Sequence, residues 1–148
     1  LNKNSSSRFV DFLMHSKRSI RVDPELVEIL QMPLRKEYEG DYTYERTCAL
    51  VSLDREMGVH EFYRKLEEST YCPASISEGM SFLRVLADRE IGSTSILHLG
   101  TFLRTDEFME KRLLTRGDGK IELIPFCAAT RLKSYYHIIV VEDEKKRV

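Results

Sequence analysis

Apolar and polar residues alternate along three segments in the last third of the chain: Ser95–Arg104, Lys120–Phe126 and Tyr135–Asp143. A period of two sends successive side chains to opposite faces, so all three predict strands. In the first, Leu97, Leu99, Thr101 and Leu103 share one face; Ile96, His98, Gly100 and Phe102 share the other. Gly100 there marks a bulge or a close backbone approach. Arg112–Thr115 and Lys120–Phe126 flank Arg116-Gly117-Asp118-Gly119, a hairpin signal because Asp-Gly tolerates positive φ. Pro125 places its strand near a sheet edge.

The middle of the chain carries a period of 3.6. Val59, Phe62, Tyr63 and Leu66 form one stripe of a helix from about Arg55 to Ser69, with Asp54 as its expected cap. Ser75 and Glu78 match a capping box. The helix they open is expected to run to about Glu90, burying Ile76, Met80, Leu83 and Leu86, with Gly92 as its stop. Cys48, Ala49, Leu50 and Val51 sit in a strand over Tyr44–Leu53, and that unbroken apolar run predicts burial on both sides.

Earlier signals are sparser. Phe9, Val10, Leu13 and Met14 fit one helical face, which predicts a helix from Ser7 to about Lys17. Asp23-Pro24 reads as a second helix start and Pro33 as its end. Lys36–Tyr42 reads as a loop or half of a weak hairpin, and Asp106–Lys111 as one helical turn.

These elements predict a single α+β domain over residues 8–143: an antiparallel sheet of four or five strands with two or three helices on one face. Residues 1–7 read as a disordered tail and 144–148 as a charged C-terminal tail. The expected core is Val59, Phe62, Leu66, Met80, Leu83, Leu86, Leu97, Leu99, Ile121, Leu123, Ile138 and Val140.

Charge changes this picture little. Lys plus Arg is 23 and Asp plus Glu 24, so the net charge is -1, and no global field steers the chain onto nucleic acid or an anionic membrane. No apolar run is long enough to span a bilayer, which predicts no membrane partner. Cys48, Cys72 and Cys127 are odd in number and widely spaced, which argues for a reducing, cytoplasmic home. Leu1 stands where an initiator Met is expected, so the chain reads as processed, trimmed or part of something longer. Without an export signal, the Asn4-Ser5-Ser6 sequon and the Arg116-Gly117-Asp118 tripeptide read as chance matches.

Candidate chemistry is thin. His15, His60, His98 and His137 form no metal-ligand spacing, so no metal and no cofactor is predicted. His98 and His137, both on central strands, are the pair to watch, with Cys127 as a conceivable thiol partner. The plainer reading makes them unrelated residues and Cys127 a small half-buried core side chain. Cys72 precedes a capped helix, which favours a thiolate. Glu122 reads as an outward strand carboxylate.

A binding face carries more weight. Arg131, Lys133, Tyr135 and His137 alternate into the last strand, and Tyr42, Tyr44 and Arg46 do the same on the first. Aromatics on a sheet stack unpaired bases while nearby cations meet phosphates; equally, Tyr and Arg are ordinary strand and interface residues. The leading expectation is therefore a non-catalytic protein-interaction or regulatory module, with a protein partner or self-association. The alternatives are a nucleic-acid-binding module using that face, and a small enzyme whose site is assembled from distant strands. The order Pro73-Ala74, Ile76 to Leu83, Ile96 to Gly100 and Tyr136 to Val141 resembles C-terminal regions of small uncharacterised bacterial proteins. The resemblance covers just over half of the chain and implies no activity.

Overall fold

The computed structural model describes residues 12–23, 44–92, 94–104, 110–116 and 120–143. In chain order the elements are β1 (Phe12–Val22), β2 (Tyr44–Leu53), β3 (Met57–Gly58), α1 (Val59–Glu67), β4 (Tyr71–Pro73), α2 (Ile76–Val85), α3 (Asp88–Ile91), β5 (Ser95–Arg104), β6 (Glu110–Thr115), β7 (Ile121–Pro125), β8 (Arg131–Leu132) and β9 (Tyr136–Glu142). Among the described residues, seven strands make one mixed sheet in the order β1-β2-β9-β5-β6-β7, with β4 also paired to β9. All its pairings are antiparallel except β5 with β9. β3 and β8 form a separate two-stranded ladder.

The α+β class is as expected, but the sheet exceeds four or five strands and its helices do not share a face. Ala49, Val51, Leu97, Leu99, Ile138 and Val140 point to the side where α1 packs Val59, Phe62 and Leu66. Cys48, Leu50, Ile96, Ile139 and Val141 point to the other, under Phe82 of α2 and Leu86. Both faces are buried, which is why β2 reads as an unbroken apolar run and why Ile138–Val141 of β9 are all apolar where alternation was expected. Each fully buried side chain of the α1 stripe contributes roughly 1.5–3 kcal/mol.

Strand β1 replaces the helix expected up to Lys17. Leu13 and Met14 fit a helical stripe, but Ile20 and Val22 continue with a period of two, and nine residues of β1 find partners on β2. Tertiary pairing overrides a short local pattern here. The second expected helix, the Lys36–Tyr42 loop and both terminal tails lie outside the described residues.

The capping box of α2 is present: the Glu78 amide donates to Ser75 Oγ at 3.2 Å, and the Ser75 amide donates to Glu78 Oε1 at 2.9 Å. The helix breaks earlier than expected, because Leu86 adopts an extended ψ of 140°. The short α3 follows, and Gly92 ends it at φ 61°. Asp54 does not cap α1. Gly58 holds that position, at the end of β3. Of the expected core, Ile121 is exposed, and Met80, Leu83 and Leu123 are half-buried.

Near Ile138 the parallel strands β5 and β9 part, and β4 with the start of α2 enters the gap. The Ala74 amide donates to the Ile139 carbonyl at 2.9 Å, and the Gly100 amide donates to the Ala74 carbonyl at 3.0 Å. The ladder is thus continued by a different strand, and its buried backbone groups stay paired.

Candidate functional site

The residues expected to share a binding face fall into separate places. Tyr42 lies outside the described residues. Tyr44 packs against the α2 side of the core, with the Arg46 guanidinium 4.9 Å from its ring centroid. Arg46 also meets the buried Glu78 carboxylate at 3.2 Å, so it neutralises the capping acid of α2. Arg131 and Lys133 precede the last strand, which starts only at Tyr136. Arg131 belongs to the β3–β8 ladder, and both cations face Glu56, at 3.8 and 2.7 Å. The hydrogen bond and charge of Lys133 hold the Glu56 carboxyl below its usual range. Tyr135 is 60% exposed and stands edge-on to Tyr136. His137, opposite Ser52, lies on the same face of the sheet as Tyr44 and Arg46 but three same-face positions along β2 from Arg46.

His98 and His137 do not pair with each other. His98 is buried between β5, β6 and α2, with Nε2 3.0 Å from Thr115 Oγ1, and burial pushes its pKa down to about 4. Cys127 is exposed rather than half-buried. It lies in the turn after β7, where the Ala129 amide and Thr130 stabilise its thiolate and lower its pKa. Cys72 is half-buried against the α2 side of the core.

The partner of His137 is His15. Their rings meet edge to face with centroids 5.9 Å apart. His15 Nε2 lies 3.3 Å from Ser52 Oγ, and its Nδ1 lies 3.1 Å from Ser16 Oγ. Ser16 also hydrogen-bonds Glu90, which pairs with Arg18. A bulge assembles this cluster. His15 faces Leu50 and Arg18 faces Cys48, so two β1 residues stand opposite Ala49 alone. The extra residue reverses the alternation, and His15 and Arg18, three apart, both point to the α2–α3 side. Ser16 takes φ 61° to make the turn. His137 is held below the usual imidazole range, first by burial and then by His15. The amides on either side of Ser52 belong to ladders with β1 and β9.

The second feature is the outer side of β7. The Arg116 amide donates to Lys120 O at 2.8 Å, and the Phe126 amide donates to Glu110 O at 3.0 Å. In an antiparallel ladder, bonded and non-bonded pairs alternate. With Leu114 opposite Glu122 and Arg112 opposite Ile124, Glu122 and Ile124 turn their backbone groups toward β6. Ile121, Leu123 and Pro125 turn theirs outward. Among the described residues no strand lies beyond β7. Pro125, which has no amide hydrogen, falls on the side where none is needed by the sheet. Ile121 is 41% exposed and forms one wall of an apolar groove of about 300 Å3, together with Met80, Leu83, Ile91 and Ile96. Arg116 at this groove is ion-paired to Glu122 at 2.7 Å.

Pro125 was the readable signal for this edge. The bulge cluster left no such trace, since His15 sits in an expected helix and Ser52 follows the apolar run of β2. Among the described residues, no helix is long and apolar enough to cross a membrane, and no group of three or more His, Cys, Asp or Glu side chains is placed to hold a metal ion. No family model matches the chain, and neither do curated proteins or solved structures.

Proposed function

We propose that this chain is a non-catalytic protein-interaction module that takes up an extended partner strand along β7. The observation that carries this reading is the outward-facing backbone of Ile121, Leu123 and Pro125, beside the exposed Ile121 side chain. Strand addition draws affinity from such main-chain groups and specificity from pockets beside alternate side chains. The groove under α2 is a pocket of that kind. A long open edge is an aggregation hazard; β7 is short, ends in Pro125 and carries Glu122, which suits a regulated contact.

The alternative of nucleic-acid binding has less support from the geometry. Arg46, Arg131 and Lys133 each face a carboxylate of this chain, and a phosphate would have to displace it.

The test compares capture from nuclease-treated native lysate by the wild type and by Leu123→Pro, which removes one outward amide and none that β6 uses. The expected result is a protein retained by the wild type and lost by the folded variant. Hydrogen exchange should then slow at Ile121 and Leu123 in the recovered complex. Equal capture by both forms, or capture that vanishes with nuclease, overturns the reading.

A further inference from the structure

We infer that the strand β7 accepts is β7 of a second copy of this chain, antiparallel, with Leu123 opposite Leu123 across a two-fold axis. The inference rests on the strand-addition reading above and names its partner.

The argument is one of register. Overlap of all five residues of β7 with their two-fold copies sets Ile121 opposite Pro125, Glu122 opposite Ile124, and Leu123 opposite itself. The outward-facing residues are Ile121, Leu123 and Pro125, so the pairs that exchange hydrogen bonds are 121 with 125 and 123 with 123. Each Ile121 amide then donates to a Pro125 carbonyl, and the two Leu123 amides donate to each other's carbonyls. Both outward amides of each copy are satisfied. Proline, which would waste a position that needed a donor, is used only as an acceptor.

The side chains agree with this register. Leu123 packs with Ile76, Met80 and Leu113 on the α2 side of the sheet. Ile121 points to the same side, two residues away, where it is 41% exposed. In the dimer Leu123 meets its own copy, and Ile121 meets Pro125. That closes an apolar strip continuous with the groove at Met80 and Leu83. On the other side Glu122 faces Ile124, and its charge stays with Arg116 of its own chain. A two-fold contact of this kind closes at two copies and leaves each copy's β1 edge outside it.

The test reads register directly. In a Cys127→Ser background, which removes the exposed native thiol, Glu122→Cys and Ile124→Cys chains are mixed and oxidised. A non-hydrogen-bonded antiparallel pair has Cα atoms about 4.5 Å apart, within disulfide reach. Two copies of residue 122 in this register lie about 8 Å apart, out of reach. The expected result is a cross-linked dimer in the mixture and none with either variant alone. Sedimentation should show a concentration-dependent dimer for the wild type and a monomer for Leu123→Pro, with unchanged circular dichroism. A cross-link with Glu122→Cys alone would mean a register shifted by two residues and overturn the assignment. A wild type that stays monomeric at hundreds of micromolar would overturn the second-copy inference. Strand addition is judged separately, by the loss of captured partners from Leu123→Pro, and survives a monomeric wild type if that loss is seen.

Discussion

The Gly100 amide donates to the Ala74 carbonyl at 3.0 Å, and a Cβ built on Gly100 would sit 2.1 Å from that same oxygen. The two residues join β5 to the segment that fills the gap between β5 and β9. No rotamer change relieves such a contact, because both atoms are fixed by backbone. Gly100→Ala is expected to destabilise the protein by about 3 kcal/mol, measured as a fall in urea midpoint. A loss below about 1 kcal/mol would mean that β4 and β5 separate more easily than this contact implies.

Gly79 has the same relation to a side chain. A Cβ there would lie 2.8 Å from His98 Nδ1 and 3.0 Å from Cε1. His98 is buried and cannot swing into solvent, so Gly79→Ala should cost about 1–3 kcal/mol. In a His98→Ala background the clash disappears, and alanine's better helix propensity, worth about 1 kcal/mol, should make the same substitution neutral or stabilising. A double-mutant cycle by urea denaturation checks the change of sign.

His98 also sets a pH dependence. Its folded-state pKa of about 4 lies below the usual imidazole value, so the unfolded chain takes up a proton first as pH falls. The stability from its neutral form is complete above about pH 6.5 and drains away between there and about pH 4, by about 3 kcal/mol in all. His137, shifted the same way, adds to the trend. Urea midpoints at pH 7 and pH 4.5 should differ markedly less in His98→Gln than in the wild type. An unchanged difference would assign the acid sensitivity to other groups.

The three thiols should react in a fixed order. Cys127 is exposed, and its thiolate is favoured by the Ala129 amide and Thr130. Burial, more than the nearby Glu78 charge, pushes Cys48 up to about 12. Iodoacetamide at pH 7.5 is expected to label Cys127 first, Cys72 more slowly, and Cys48 only after denaturation. Thr130→Ala should slow the first step. Mass mapping of partly labelled protein reads the order directly.

The chain's own apolar patterns, a run for β2 and alternation for the others, placed β2, β5, β7 and β9 to within a residue or so. The α1 stripe and the Ser75–Glu78 cap were equally legible, because a side chain's face follows from backbone period and a cap forms within four residues. Pro125 announced an edge for a local reason as well: it has no amide to give to a neighbour. The apolar run through Cys48–Val51 even required cover on both faces, which a sheet with helices on one side could not provide.

What only the tertiary structure decided was which distant segments meet. Phe9, Val10, Leu13 and Met14 have the spacing of a helix ending near Lys17, yet the chain from Phe12 onward is a strand because β2 offers a long matching edge. The bulge at Ser16 exists only within that pairing, and without it His15 and Arg18 would point to opposite faces. His137 therefore meets His15, 122 positions away in the sequence, while His98 turns to Gly79 and Thr115. The expected Tyr, Arg and Lys face divided for the same reason. Where a strand begins, and which carboxylate a cation finds, depend on chain paths that local pattern does not encode.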